Sequence, residues 1–274
     1  MIEIGTMIGR LSERIDDKIQ AFPTKSWRKE FEIARKYNFD VIEWILDLNE
    51  NPIRSDDGIN EINYFSKKYD IKINSICCDN FMEKPLFQIS EFDLEKNLKL
   101  LEYVIGVCNK LEIKYLEIPL VDSASIKSKD DEEEFIQNMK KIIPLLEKNN
   151  VCLTLESDFK PTKFKEFLLK FEDPNVVANY DTGNSTSLGY NSEEELITLG
   201  KLIKNIHIKD RQFGAGTVEL GKGDTNFELF FKTLSKIGYS GDLILQGARL
   251  DNMQSPEETC IQYKKFVKQY VDKY

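Results

Sequence analysis

The run VCLTLESDFKPTKFKEFLLKFEDPNVVANYDTGN, residues 151–184, carries one complete structural unit. Its first six residues are mostly apolar and close on a carboxylate, Glu156, which predicts a buried strand. Residues 162–171 read as a helix, and residues 176–180 as a second strand ending at Asp181. Strands separated by a helix of this length pair in parallel through a right-handed crossover.

The same unit recurs in both directions. Strands are predicted at 2–7, 41–45, 71–77 and 115–119 before this run, and at 203–208 and 242–246 after it. Helices are predicted at 27–37, 58–69, 92–111, 130–148, 192–200 and 227–237, with a last one opening at Ser255 and Pro256, a cap followed by a first-turn proline. The acidic run DDEEE at 130–134 suits a helix N-terminus, where carboxylates meet the positive end of the dipole. Eight strand–helix units imply an α/β fold closed into a (β/α)8 TIM barrel, and 274 residues is a usual length for one. An open doubly wound sheet is the alternative, but no glycine-rich dinucleotide fingerprint follows the first strand. No linker or composition shift divides the chain, so residues 1–274 read as a single barrel domain.

Composition narrows the function classes. A net charge of −9 and a pI near 5.0 argue against a nucleic-acid or acidic-membrane partner, since phosphates require a basic face. The cysteines, at 77, 78, 108, 152 and 260, are odd in number, and most lie in apolar runs. They read as buried free thiols of a reducing cytosol, and the adjacent pair would bridge only with strain. Residues 1–5 pass from Met1 straight into IEIG without a signal-peptide pattern, and no run of about 18 apolar residues suggests a membrane helix. The expected location is cytoplasmic.

In a barrel of this kind the residues past the C-terminal strand ends face one shared pocket. Those positions are Glu43, the stretch 77–79 ending in Asp79, Glu117, Glu156, Asp181, His207 with Asp210 and Arg211, and Gln246. His207 is the only histidine, so any metal must take mostly oxygen ligands. One imidazole with the carboxylates of Glu156 and Asp181 suits Mn²⁺, Mg²⁺, Co²⁺ or Zn²⁺. The same residues also read as a hydrogen-bonded core histidine beside loop-capping acids.

The strings EIPL (117–120), LTLES (153–157), NYDTGN (179–184), HIKD (207–210) and LGKGDTNFELFFKTLSKIGYSGDLIL (220–245) resemble the xylose-isomerase-like superfamily of sugar isomerases and epimerases. The resemblance is nearest to the L-ribulose- and L-xylulose-5-phosphate 3-epimerase branch. It covers most of the chain and implies one divalent metal held by a glutamate after strand five, an aspartate after six, a histidine after seven and a glutamate after eight. Carried over, these are Glu156, Asp181 and His207, with Gln246 where the family has glutamate. The resemblance places Asn184 in a substrate-contact slot and Arg211 where a basic residue meets sugar oxygens or a phosphate. It implies proton abstraction next to a metal-bound carbonyl, through an enediolate, on a small-molecule sugar or sugar phosphate.

Gln246 has physical content. An amide oxygen still ligates a hard cation, but it cannot serve as a general base at neutral pH. Epimerisation needs two proton carriers, and Glu156 is the evident one, so one-base aldose–ketose isomerisation gains ground unless Glu43, Asp79 or Lys209 supplies a second. Asp210 is expected to fix the His207 tautomer or touch substrate, and Arg249 and Lys222 are candidates for substrate or phosphate binding. Trp27 and Trp44 read as core or pocket-wall aromatics. The closing helix QYKKFVKQYVDKY packs on the barrel or on a second subunit, which would make a homo-oligomer. An abasic-site endonuclease is excluded by the single histidine, since a multi-zinc centre needs several. A keto-sugar or keto-polyol dehydratase, or a non-catalytic sugar-binding homologue, are the rival readings.

Overall fold

The computed structural model describes residues 2–16, 18–250 and 255–274. Eight parallel strands form a closed barrel: β1 (Glu3–Met7), β2 (Val41–Ile45), β3 (Ser75–Cys77), β4 (Tyr115–Leu120), β5 (Cys152–Ser157), β6 (Val176–Asp181), β7 (Ile203–Ile208) and β8 (Asp242–Leu245). They follow chain order around the barrel, and β1 pairs with both β2 and β8, which is the closure an open sheet would lack. Two expected strands, β2 and β7, fall on the residues read from the sequence.

Two expected elements differ. The helix read over 130–148 is two helices, Lys129–Lys140 and Ile143–Asn149. Pro144 has no N–H to bond back into a preceding turn, so it fits only at the start of a new helix. The strand read from residue 71 begins only at Ser75: before it there is a single bridge from Lys72 to Val41, and the Asn74 carbonyl accepts from both Lys114 and Tyr115. The acidic run behaves as expected. Ser128 caps the helix, its hydroxyl accepting from the Asp131 N–H while the Asp131 carboxylate accepts from the Ser128 N–H at 2.9 Å.

The helix layer packs on the barrel through aromatics. Trp27, on the helix Trp27–Lys36, meets Trp44 of β2 edge-on at 5.6 Å, and both are buried beside Phe22 and Phe31. The Trp44 indole N–H is satisfied by Asn51 at 3.0 Å. No helix among the described residues is long and apolar enough to cross a membrane.

The barrel interior departs from the usual branched aliphatic filling. Glu43, Ser75, Glu117, Asn179, Asn205 and His207 are all buried, each on a barrel strand. The registers set Asp181 of β6 beside His207 of β7, and registered neighbours in a parallel sheet point to the same face. The fold therefore brings polar groups to one point inside the barrel.

Candidate active site

Asp181 ends β6, and Glu156 and His207 each lie one residue before the ends of β5 and β7. One ligand atom from each comes within 4.8 Å of the others. His207 Nδ1 is 3.5 Å from Glu156 Oε2 and 3.9 Å from Asp181 Oδ2. The opposite nitrogen, Nε2, is 2.7 Å from Glu43 Oε1 and 3.2 Å from Glu117 Oε2. One imidazole thus joins two carboxylate pairs, one at the mouth and one deeper in the barrel.

The deeper pair has a different environment. Glu43 is the middle residue of β2, not its end, and is wholly buried. Its Oε2 accepts from Ser75 at 2.6 Å and Asn205 at 2.7 Å, while Oε1 faces the imidazole. This corrects the expectation that Glu43 meets substrate or acts as a second base, because both oxygens are engaged behind the histidine. Asn179 ties the layers together: its amide nitrogen lies 3.1 Å from Glu117, 2.9 Å from Glu156 and 3.2 Å from His207 Nδ1. In the neutral ring the Asn179 amide favours the tautomer with its proton on Nε2, directed at Glu43, while without a cation the surrounding carboxylates favour the imidazolium, with a proton on both nitrogens.

At the mouth, Asp181 Oδ1 accepts from the Gly183 and Asn184 N–H groups at 2.8 Å each, and Lys209 Nζ stands 2.8 Å from Oδ2. Asn184 donates its amide to Glu156 Oε1, and its own oxygen accepts from Arg211 at 2.9 Å and Lys209 at 3.4 Å. Arg211 and Lys209 thereby connect to Glu156 through one amide. The helix Thr182–Ser187, which presents these donors, was not read from the sequence. Its only signal is the short D-x-G-N string.

Four carboxyl groups around one buried imidazole is more negative charge than a dry interior tolerates without protons or a cation. Burial, the largest influence on His207, favours its neutral form, but the Glu117 and Glu43 carboxylates outweigh it and hold its pKa well above the ordinary value. Burial drives the Glu117 carboxyl well above the usual range, against the pull of His207. Burial also opposes ionisation of Glu156, yet hydrogen bonding and charge from His207, with charge from Lys209, bring its pKa to about 2. Glu156 is therefore held ionised.

Which donors would suit a divalent ion follows from what is left unpaired. Glu43, Glu117 and His207 form a second group as close together, and Glu117 Oε2 is also unpaired, but both Glu43 oxygens are engaged at the closed, buried end. At the mouth Asp181 Oδ2 accepts no aligned hydrogen bond beside the Lys209 ammonium, Gln246 Oε1 is buried without a donor, and Glu156 accepts only from the side-chain amides of Asn179 and Asn184. Glu156, Asp181 and His207 Nδ1 form an oxygen-rich set with one imidazole that fits Mn²⁺, Mg²⁺, Co²⁺ or Zn²⁺. Gln246 follows β8 as expected, with its amide nitrogen turned to the β1 side, 3.1 Å from Gln20 and 3.6 Å from Met7 Sδ.

Three other expectations resolve differently. Asp210 does not reach His207; its carboxylate accepts from the Gly221, Gly223 and Thr225 N–H groups at 2.8, 2.9 and 3.2 Å and shapes the 220–225 loop. A Cβ at Gly223 would fall against Asp210 and 2.6 Å from the Arg211 carbonyl, so only glycine fits there. Arg249 binds the Gly9, Ser12 and Ile19 carbonyls and acts as a clamp on the loop after β1. Asp79 is held by Gln20 at 2.5 Å and Cys77 at 3.1 Å, and burial raises its pKa.

The chain belongs to the xylose isomerase-like TIM barrel family, whose model matches residues 31–261. Within it, a probable L-ribulose-5-phosphate 3-epimerase of Mycoplasma pneumoniae is 22% identical over 251 residues, covering 86% of this chain and 80% of the relative. A putative L-ribulose-5-phosphate 3-epimerase of Haemophilus influenzae is 24% identical over 274 residues, covering 90% and 92%. Among solved structures, the IOLI protein with a bound zinc atom superposes with a TM-score of 0.79 at 18% identity, covering 100% of this chain and 99% of that one, a likeness of fold.

Proposed function

We propose that this chain is a divalent-metal-dependent isomerase or epimerase acting on a sugar or sugar phosphate. The observation that carries the reading is the convergence of Glu156, Asp181 and His207 Nδ1 within 4.8 Å at the barrel mouth. The naming of its curated relatives as sugar-phosphate epimerases, and the zinc in a protein of like fold, support it.

Glu156, Asp181 and His207, with the Gln246 amide oxygen, would hold a divalent ion, which would supply Lewis-acid polarisation of a hydroxy-carbonyl compound and so acidify the C–H of its hydroxyl-bearing carbon. Glu156 takes that proton and returns it to the neighbouring carbon, while the hydroxyl proton passes to the former carbonyl oxygen. Asn179 and Asn184 both donate to Glu156, which fixes its orientation and keeps it ionised until substrate arrives. Arg211 and Lys209 hold the Asn184 oxygen and bring positive charge beside the reacting oxygens. Glu43 orients the imidazole from behind.

With an amide at Gln246, with Glu43 and Asp79 engaged elsewhere, and with Lys209 paired to Asp181 as an ammonium, Glu156 is the carboxylate among the described residues best placed to move a proton, which favours one-base aldose–ketose isomerisation. Turnover of pentose and hexose phosphates in deuterated water tests this. Retained exchange with aldose–ketose conversion supports the reading; clean inversion beside the carbonyl would require a second base, and metal binding without turnover of any sugar would favour a binding protein.

A further inference from the structure

Gln246 is only 7% exposed, and its side-chain oxygen is buried with no donor among the described residues. It stands two residues past Ile244, the registered partner of His207, and its N–H donates to the Ile208 carbonyl of β7 at 3.0 Å. Side chains two apart along a strand share a face, so Gln246 points into the barrel on the His207 side, one step nearer the mouth. An amide at that place can turn either end to the site, and only its oxygen can serve a cation.

Gln20, on the loop after β1, decides which end. Its Oε1 accepts from Gln246 Nε2 at 3.1 Å and from Arg10 Nη2 at 3.2 Å, and its Nε2 donates to Asp79 Oδ2 at 2.5 Å. The Gln20 amide therefore lies between a guanidinium and a carboxyl group, with its dipole along their field. Reversed, it would set N–H groups against Arg10 and an oxygen against Asp79, losing all three hydrogen bonds. The two ends of the chain are themselves fixed. Asp79 Oδ1 accepts from the Cys77 thiol at 3.1 Å, and Arg10 Nη1 donates to the Gly247 carbonyl at 3.1 Å. The same polarity bears on residue type: a glutamate at 246 in this rotamer would bring a carboxylate oxygen to 3.1 Å from Gln20 Oε1, two acceptors with no proton between them.

We propose that Gln20 is a positioning residue for Gln246, oriented by Arg10 and Asp79, and that this chain of hydrogen bonds specifies an amide at 246 and leaves its oxygen for the ion. The inference rests on the metal site proposed above and gives the loop after β1 a part in it. It also accounts for the departure from glutamate at this position: the change at 246 and the polarity of the Gln20 amide belong together.

Calorimetric titration with Mn²⁺ of the parent chain, Q20L, Q246E and the double variant Q20L/Q246E tests this without any need for turnover. In the parent background Q20L frees the Gln246 amide, and Mn²⁺ affinity is expected to fall by about three- to tenfold, the net worth of one hydrogen bond. In the Q246E background the same change removes a repelling oxygen, and affinity is expected to rise. Opposite signs in the two backgrounds support the proposal. A loop that Gln20 merely holds together would lose affinity in both, and such parallel losses, or no change in either, would overturn it. If Q20L does not fold, D79N takes its place with the same expected signs, because an amide at 79 no longer holds Gln20 in one orientation; equal effects in both backgrounds would overturn the proposal. A parent chain that binds no Mn²⁺ refutes the metal site and this inference together. Opposite signs without turnover of any sugar uphold the inference and refute the activity alone.

Discussion

Nε2 of His207 lies 2.7 Å from Oε1 of Glu43, with both side chains wholly buried. A carboxylate behind an imidazole fixes its tautomer and leaves the opposite nitrogen as the ligand. Here the opposite nitrogen, Nδ1, faces Glu156 and Asp181.

Replacing that carboxylate removes the constraint. E43Q is expected to weaken Mn²⁺ or Zn²⁺ affinity by roughly 10- to 100-fold with a native circular-dichroism spectrum. Unchanged affinity by calorimetry would mean that Glu43 only fills space.

Glu156 is assigned both to holding the ion and to moving the proton, and E156Q separates the two roles. An amide still offers an oxygen but accepts no proton, so kcat is expected to fall by about 10²- to 10⁴-fold while the protein keeps metal. Solvent-deuterium uptake into substrate should vanish with it. Continued uptake would move the base elsewhere.

Gln246 is the departure from the four-ligand pattern that the sequence resembles. Q246E adds a carboxylate, so metal affinity is expected to rise by about tenfold, and epimerised product should appear alongside isomerised product. Product stereochemistry by NMR reads this directly, and an unaltered product ratio would count against the one-base account.

Glu30 offers a pH test remote from the mouth. Its buried carboxyl accepts from the Gly9 N–H at 2.7 Å and from Ser12, and burial raises its pKa from 4.5 to about 7. The folded chain then holds this proton more tightly than the unfolded one. The stabilisation is complete below pH 4.5 and is lost as pH rises through about 7. The loss is on the order of 3 kcal/mol. Thermal unfolding at pH 5 and pH 8 should show a smaller decline for E30Q than for the parent chain; parallel declines would contradict it.

Much of this was legible because the barrel repeats one pattern. Alternation located β7 with its bounds, and a polar residue closing an apolar run marked Glu156 and Asp181. The deeper layer was harder. In a strand such as VIEWI both faces are buried, one by the barrel interior and one by helices, so hydrophobicity does not say which way Glu43 points. Asn179 and Asn205 left a usable trace, an uncharged amide between apolar strand residues, which signals a buried hydrogen-bond network. Asp210 and Arg249 read as mouth residues because they follow strand ends, but their partners are backbone groups of other loop residues, 220–225 for Asp210 and the loop after β1 for Arg249.

The central claim is that one ion belongs on the Nδ1 side of His207, and anomalous diffraction from a Mn²⁺-soaked crystal tests it most directly. The account requires a single peak within bonding distance of Glu156, Asp181 and His207 Nδ1. A peak on the Nε2 side, between Glu43 and Glu117, or none inside the barrel, would contradict it.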